Sequence, residues 1–268
     1  MSFENITVET RGPASWVYLN RPQALNSLTL GLAHDLEAAI EAAEADPSVR
    51  TFVISGVGRA FCAGADLRAI RAGDTPISTG LAHFLGELGR VFTRIEASRL
   101  PTIAAVNGLA LAGGLELVLC CDIVIAADDA VFGDAHANYG LLPGGGGSIR
   151  LPRKIGAARA TRLMMTGESI SAQDMERAGL VSRCVPAAAL AETAQALTET
   201  LAAKSPLGLA RMKELAALAV DCSHEEGLRR EMEIVAAYAD SYDLQEGLAA
   251  FAAKRPPDRK STRLNSSH

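Results

Sequence analysis

Two patterns of hydrophobic and polar positions alternate along the first half of the chain. Short apolar runs that contain β-branched or aromatic residues predict strands at residues 6–10, 15–19, 51–55, 102–106 and 122–126. Between the second and third of these runs, Leu32, Leu36 and Ile40 recur at the i, i+4 spacing of a helix. Strands that alternate with helices predict an α/β fold whose strands are buried and parallel.

Beyond about Pro186 the hydrophobic pattern is helical only. It predicts four helices, at residues 190–203, 207–219, 225–239 and 244–253, and polar breaks or caps separate them. We therefore divide the chain into an α/β core (residues 1–190) that carries the site and a helical region (191–257) for subunit packing. Residues 258–268 are polar and contradict the helical pattern before them, so we interpret them as a non-native tail.

The composition excludes several classes of protein. With 268 residues, 49% of them hydrophobic, the chain is expected to form one large globular domain or one with an appendage. Aromatic residues make up 4% of the chain, so a surface on which nucleic-acid bases stack is not expected. The net charge of −5 likewise argues against a nucleic acid or another polyanion as partner. The apolar segment 103–127 contains Asn107, Glu116 and Asp122, which favours a buried segment over a membrane span. The five cysteines form no metal-like cluster and no signal peptide is visible, which predicts a reduced, cytoplasmic protein without a metal.

The glycine-containing segments do not match the common nucleotide or hydrolase motifs. Gly56 and Gly58 follow a predicted strand, but Phe61 occupies the position of the third glycine in a dinucleotide-binding fingerprint. The glycine run at 144–147 lacks the lysine and hydroxyl of a phosphate loop, and no GxSxG elbow exists. A nicotinamide-dependent oxidoreductase and a serine hydrolase are therefore not expected.

Two other turns, at residues 59–67 and 107–116, join a predicted strand to a helical pattern through small residues. Such a junction lets a ligand approach the backbone, and the first turn of a helix presents unpaired N–H groups. Two of these groups on one oxygen would form an oxyanion hole. The same small residues also permit ordinary close packing of helix on strand, and the pattern alone does not separate the two interpretations.

Glu116 is the most unusual charged residue in the sequence, since it lies among Leu115, Leu117 and Val118. Burial of a carboxylate is costly without a partner or a function. It is either a catalytic group or a structural one that pairs with an arginine or a backbone group.

The motifs together resemble the enoyl-CoA hydratase/isomerase (crotonase) superfamily. The signature segment is IAAVNG at 103–108, followed by AGG at 112–114 and LCCDI at 119–123. An early LNRPQALN segment, an AFCAGADL turn and a GLLPG segment follow the order of the family, and the resemblance covers about residues 5–257. It implies a spiral of ββα units with a C-terminal helical oligomerisation region.

The resemblance also implies a chemistry and a set of residues. An acyl-CoA thioester would place its carbonyl oxygen between the N–H groups of Ala65 and Gly113, with CoA itself as part of the substrate and no further cofactor. The family's CoA contacts fall on Ala24, Ala63, Asp66 and Leu67, and those of its C-terminal helix fall on Phe251 and Lys254. Assembly into homotrimers or hexamers is implied as well.

The second catalytic position departs from the family. Glu116 falls on the first glutamate of the hydratases, but His136 stands where they have the second. A histidine can donate or accept a proton near neutrality, and Asp134 could orient it. Three outcomes remain open: a hydratase-like lyase that uses His136; a single-glutamate isomerase, hydrolase or C–C bond enzyme with His136 as a pocket-lining residue; or an acyl-CoA-binding protein with little turnover.

Overall fold

A computed structural model describes residues 3–68 and 76–258 of the chain, so all but the first residue of the predicted tail lies outside the described residues. The strands of this part are β1 (Ile6–Arg11), β2 (Ala14–Leu19), β3 (Thr51–Gly56), β4 (Ala60–Cys62), β5 (Thr102–Val106), β6 (Leu109–Leu111), β7 (Ile123–Ala127), β8 (Val131–Gly133), β9 (Ser169–Ser171) and β10 (Arg183–Val185). The helices are α1 (Leu30–Ala45), α2 (Ile77–Glu96), α3 (Gly113–Leu119), α4 (Gly147–Ile155), α5 (Ala157–Thr166), α6 (Ala172–Arg177), α7 (Leu190–Ala202), α8 (Pro206–Asp221), α9 (His224–Ala239) and α10 (Tyr242–Ala252).

The larger of two sheets contains all five strands predicted from the sequence. Its order is β1-β2-β3-β5-β7-β10, and every neighbouring pair is parallel except the β1–β2 hairpin. The central strands β3 and β5 are buried almost throughout, as is typical of parallel strands covered on both faces. The predicted α/β class is confirmed.

The second sheet consists of three-residue strands in the order β4-β6-β8-β9. Along the chain, β3 and β4, then β5 and β6, then β7 and β8 give one strand to each sheet. Since a helical segment follows each pair, the chain winds as a spiral of ββα units, as the resemblance implied. The ends of the short strands β4 and β6 lead directly into the two small-residue turns predicted to carry the site.

The four C-terminal helices begin close to their predicted positions. Ser205, Ser223 and Ser241 cap α8, α9 and α10, and each hydroxyl accepts a backbone N–H from the first turn. The first of the four helices, α7, packs against the large sheet, where its residues Ala194 and Thr198 are fully buried. In the described ranges no helix is both long and apolar enough to cross a membrane.

Candidate active site

The two predicted turns lie side by side. The parallel pairing of β4 with β6 brings them together, and a bridge between Leu28 and Ala65 fixes the first turn against the early loop. A side-chain carbon built on Gly113 would lie 3.6 Å from the Ala65 nitrogen and 2.8 Å from a Leu28 methyl carbon. A side chain at position 113 would therefore have to displace Leu28, and the backbones of the two turns are in close approach.

The N–H groups of Ala65 and Gly113 are available at this point. Within residues 3–68 and 76–258, neither N–H donates a hydrogen bond to another protein group. For Gly113 the reason is that it opens α3, where a helix has no partner for its first N–H groups. Ala112, with a φ of 47°, makes the sharp turn that starts this helix.

Glu116 lies one turn into α3 and is 2% exposed. Its Oε1 accepts hydrogen bonds from the backbone N–H groups of Gly145 (2.9 Å) and Gly147 (2.8 Å). A side-chain carbon on Gly145 would lie 2.6 Å from Oε2, so the loop at this position closes directly onto the carboxylate. Backbone N–H groups thus hold Oε1 of Glu116, and a backbone group was one of the structural partners expected for this residue.

The other oxygen of Glu116 lies beside His136. The Nε2 atom of His136 is 4.0 Å from Oε2 of Glu116, and its Nδ1 is 3.0 Å from Oδ1 of Asp134. The left-handed conformation of Ala135 (φ 56°) folds the chain back so that Asp134 and His136 face the same side. The prediction that Asp134 could orient the imidazole is confirmed, because both side chains are buried and hydrogen-bonded to each other.

The pKa values of Glu116 and His136 are both raised above their usual values. Burial raises the pKa of Glu116 above its usual value, although the Gly147 N–H and the charge of His136 act against it. Burial lowers the pKa of His136, but the hydrogen bond and charge of Asp134, with the charge of Glu116, outweigh it and leave this pKa raised. Each group therefore holds its proton more tightly than it would in water.

Comparison with known proteins decides the family. The family model described as enoyl-CoA hydratase/isomerase matches residues 13–262, nearly the whole chain. The chain belongs to the enoyl-CoA hydratase/isomerase family. The resemblance seen in the sequence motifs is thereby confirmed.

Relatives in this family match the chain over its full extent. A probable enoyl-CoA hydratase from Rhizobium meliloti is 40% identical, covering 97% of this chain and 99% of the relative. The 2,3-dehydroadipyl-CoA hydratase of Escherichia coli is 39% identical, with coverage of 90% and 93%. The crystal structure of an enoyl-CoA hydratase from Bacillus anthracis matches with a TM-score of 0.90 at 36% identity, covering 96% of this chain and 99% of that one. The crotonase fold expected from the motifs is confirmed.

Four of the positions that match CoA contacts in the enoyl-CoA hydratase/isomerase family lie around the first turn. The Ala63 N–H donates to Leu25 O (3.0 Å) in the early loop that contains Ala24, and Asp66 forms an ion pair with Arg21 (3.0 Å). Leu67, which follows Asp66, is 38% exposed. The early loop and the first turn therefore form one continuous surface at the edge of the site.

The C-terminal pair is placed differently. Phe251 lies on α10 and is 85% exposed, and Lys254 follows the end of that helix. A single chain does not bury Phe251.

Two features of the site escaped sequence interpretation. Asn26 is fully buried, where its side-chain amide donates to Val57 O and Ala60 O and so joins the early loop to β4. The glycine loop, residues 144–147, was compared only with a phosphate loop, whereas its N–H groups hold Glu116. A run of four glycines was the available signal, but its partner lies about 30 residues away in the sequence. Burial raises the pKa of the Cys62 thiol in the first turn to about 12.

Proposed function

We propose that this protein is an enoyl-CoA hydratase-like lyase, which adds water across the double bond of a trans-2-enoyl-CoA. The single observation that carries the proposal is the arrangement of Glu116 and His136, whose Oε2 and Nε2 atoms face each other at 4.0 Å. Relatives about 40% identical over most of the chain are named as enoyl-CoA hydratases, which supports the same reaction class.

The thioester carbonyl would bind at Ala65 and Gly113. Their N–H groups stabilise the negative charge that develops on the thioester oxygen as an enolate forms. Only backbone donors are needed there, so small side chains are sufficient. Loss of one such donor typically costs about 3 to 4 kcal/mol of transition-state stabilisation.

Glu116 and His136 divide the proton transfers. Two groups 4.0 Å apart can both contact one water molecule placed between them. Ionised Glu116 takes a proton from this water, the water oxygen bonds to C3, and protonated His136 gives its proton to C2. The proton on Glu116 then returns to His136, so that each turnover consumes one water and one enoyl-CoA.

A carboxylate and an imidazole thus replace the two carboxylates of the family's hydratases. Asp134 holds the imidazole by its Nδ1 atom and favours the charged form, which leaves Nε2 as the donor to the substrate. The pair can therefore act as base and acid without a second glutamate.

CoA would lie along the surface formed by the early loop and the first turn, at Ala24, Ala63, Asp66 and Leu67. Exposed Phe251 and the adjacent Lys254 would complete the site of a neighbouring subunit in a homotrimer or hexamer. Sedimentation should then give three or six times the 28.0 kDa chain mass. A monomeric active enzyme would remove this part of the proposal.

The test of the reaction is loss of the conjugated-thioester absorbance of crotonyl-CoA and longer trans-2-enoyl-CoAs. Wild type should hydrate at least one of them, and Glu116→Gln should lower the rate about 10²- to 10⁴-fold, because a general base is removed. Glu214→Gln, which alters an exposed ion pair on α8, is the matched control and should leave the rate unchanged. A wild type that releases free CoA thiol but forms no 3-hydroxyacyl product would instead be a hydrolase.

A further inference from the structure

Arg150 on α4 links the glycine loop to a helix on the far side of the site. Its Nη2 and Nε bond the carboxylate of Glu96 on α2 at 2.7 and 3.0 Å, and its Nη1 donates to the carbonyl of Gly145 at 3.0 Å. The Arg150 side chain is only 15% exposed, whereas the side chain of Glu96 is half-exposed. The N–H donors of the planar guanidinium thus bond a carboxylate on one side and a backbone carbonyl on the other, which fixes its position.

The carbonyl that Arg150 holds lies between the two N–H groups that hold Glu116. Gly145 and Gly147 both donate to Oε1, and the Gly145 carbonyl belongs to the peptide group between them. The two donors belong to the peptide groups on either side of it, so a displacement of this central peptide that carries its neighbours along would move the donors away from the carboxylate. The bond from Arg150 therefore opposes the movement that would release Glu116.

Gly146 shows how closely the arginine and the loop fit together. Its φ is +100°, and a side-chain carbon on it would lie 2.0 Å from Nη1 of Arg150. The Gly146 carbonyl also accepts the N–H of Arg150 itself (2.9 Å), at the start of α4. Side chain and backbone of one residue thus secure successive peptide groups of the same loop.

We propose that Arg150, anchored by Glu96, is a positioning residue that holds the glycine loop in the conformation in which its N–H groups orient Glu116 toward His136. In the described ranges its side chain forms no hydrogen bond with the Glu116 carboxylate, and it acts through the carbonyl of Gly145. The catalytic consequence rests on the proposed hydratase function, whereas the orientation and ionisation of Glu116 do not.

The charged and titratable groups around Glu116 come from every element packed on it. His136 and Asp134 act on it from the turn after β8, and Arg150 acts on it from α4. Glu96 on α2 pairs with Arg150, and the Cys120 thiol follows directly after α3. Loss of Arg150 would free the two N–H donors, remove a positive charge and leave Glu96 uncompensated. All three changes disfavour the ionised carboxylate, so the pKa of Glu116 should rise further.

The experiment compares Arg150→Gln, Arg150→Lys and Arg153→Gln in the full chain. Arg153 lies on the same helix and pairs with Asp221 at the surface, so it is the matched control. The ionisation of Glu116 is read from the carboxyl signal of ¹³C-labelled glutamate, assigned by its absence in Glu116→Gln. Hydration kinetics on a trans-2-enoyl-CoA give kcat and KM separately.

For Arg150→Gln we expect the Glu116 titration to move up by about half a unit to one unit. The kcat should fall about 10- to 100-fold with KM changed less than about threefold, because the carboxylate is misplaced and CoA contacts are not. Arg150→Lys should show a smaller shift of the Glu116 titration than Arg150→Gln, because it keeps the positive charge. Its kcat should recover less, since an ammonium group lacks the planar fork of donors of a guanidinium. Arg153→Gln should match wild type in both readouts.

A wild-type titration and wild-type kcat in Arg150→Gln would overturn the proposal, and so would equal losses in Arg153→Gln. If Arg150→Gln fails to fold, Glu96→Gln replaces it with kcat as the readout. The loss of the ion pair should lower kcat, though less than the loss of Arg150 itself, because the bond to Gly145 remains; an unchanged kcat there overturns the proposal equally. If wild type hydrates nothing, the proposed function fails, and the Glu116 titration alone decides whether Arg150 positions the carboxylate.

Discussion

The two sides of the candidate site are held by different means. On one side, the N–H groups of Gly145 and Gly147 bond one oxygen of Glu116, and Arg150 bonds the carbonyl of Gly145 and the carboxylate of Glu96, so a series of contacts over distant parts of the chain leads to this oxygen. On the other side, His136 depends on one side chain, Asp134, only two residues away. The glutamate side is built by the tertiary fold, whereas the histidine side is built by a local turn. A local turn can accept a different residue without rebuilding the fold, so the proposal that His136 stands in place of a second glutamate requires no change elsewhere in the chain.

The largest effect is expected from a change on the glutamate side. Gly145→Ala places a carbon 2.6 Å from Oε2 of Glu116, and the carboxylate, as the end of a side chain, would yield first. Hydration should fall about a hundredfold while the protein remains folded. The matched control is Gly86→Ala on α2, where a new side-chain carbon meets nothing within 4 Å. An active Gly145→Ala enzyme would mean that the position of this carboxylate does not matter.

A smaller, pH-dependent effect is expected on the histidine side. In Asp134→Asn the negative charge that raises the pKa of His136 is lost and the hydrogen bond to Nδ1 becomes a weaker, uncharged one, so this pKa falls. Because the proposed acid is protonated His136, the basic limb of the kcat/KM profile should move to lower pH. For a shift of about one unit, the rate on that limb falls about tenfold, and the rate well below it changes little.

The pH profile also separates orientation from electrostatics. A uniform loss at every pH in Asp134→Asn would mean that Asp134 only orients the ring. A profile identical to that of wild type would contradict the role given to His136.

The smallest effect concerns thermal stability. Glu116→Gln, which should lower activity, should make the protein more stable. Burial raises the pKa of Glu116, so the folded state binds its proton more tightly than the unfolded state does. The stability that the protonated carboxyl contributes at low pH is lost as pH rises through the folded pKa. Glu116→Gln should therefore raise Tm at neutral pH by about 2 to 4 °C.

The check is thermal unfolding followed at several pH values. The gain should shrink as pH falls toward the usual range of a carboxyl group. A Tm that drops at neutral pH would show that the hydrogen bonds to Oε1 more than offset the cost of burying the charge.

The sequence predicted five of the six strands of the large sheet and the C-terminal helices, but neither the three-residue strand β10 nor the second sheet. Strands such as 51–55 and 102–106 are long enough for an apolar run to be visible, and the serine caps mark the helix starts. β4, β6, β8 and β9 have three residues each, which is too short for any periodicity. The boundary placed at residue 190 stays a prediction, although α7, just beyond it, packs on the core sheet.

The same limit applies to the site. Ala65, Gly113, Glu116 and His136 were each identified from motifs, because those motifs are local. The roles of the glycine loop and of Arg150 depend on contacts with Glu116 and Glu96 that span about 30 and more than 50 residues. No spacing rule reports such contacts, so only the folded chain reveals them.

The central claim is that His136 takes the place of the second carboxylate. Its most direct test is the rate of hydration of trans-2-enoyl-CoAs by wild type, His136→Ala and His136→Glu, measured side by side. Wild type should hydrate, and His136→Ala should be slower by about 10²-fold or more. A wild type that leaves every enoyl-CoA unchanged, beside a His136→Glu variant that hydrates them, would contradict the claim.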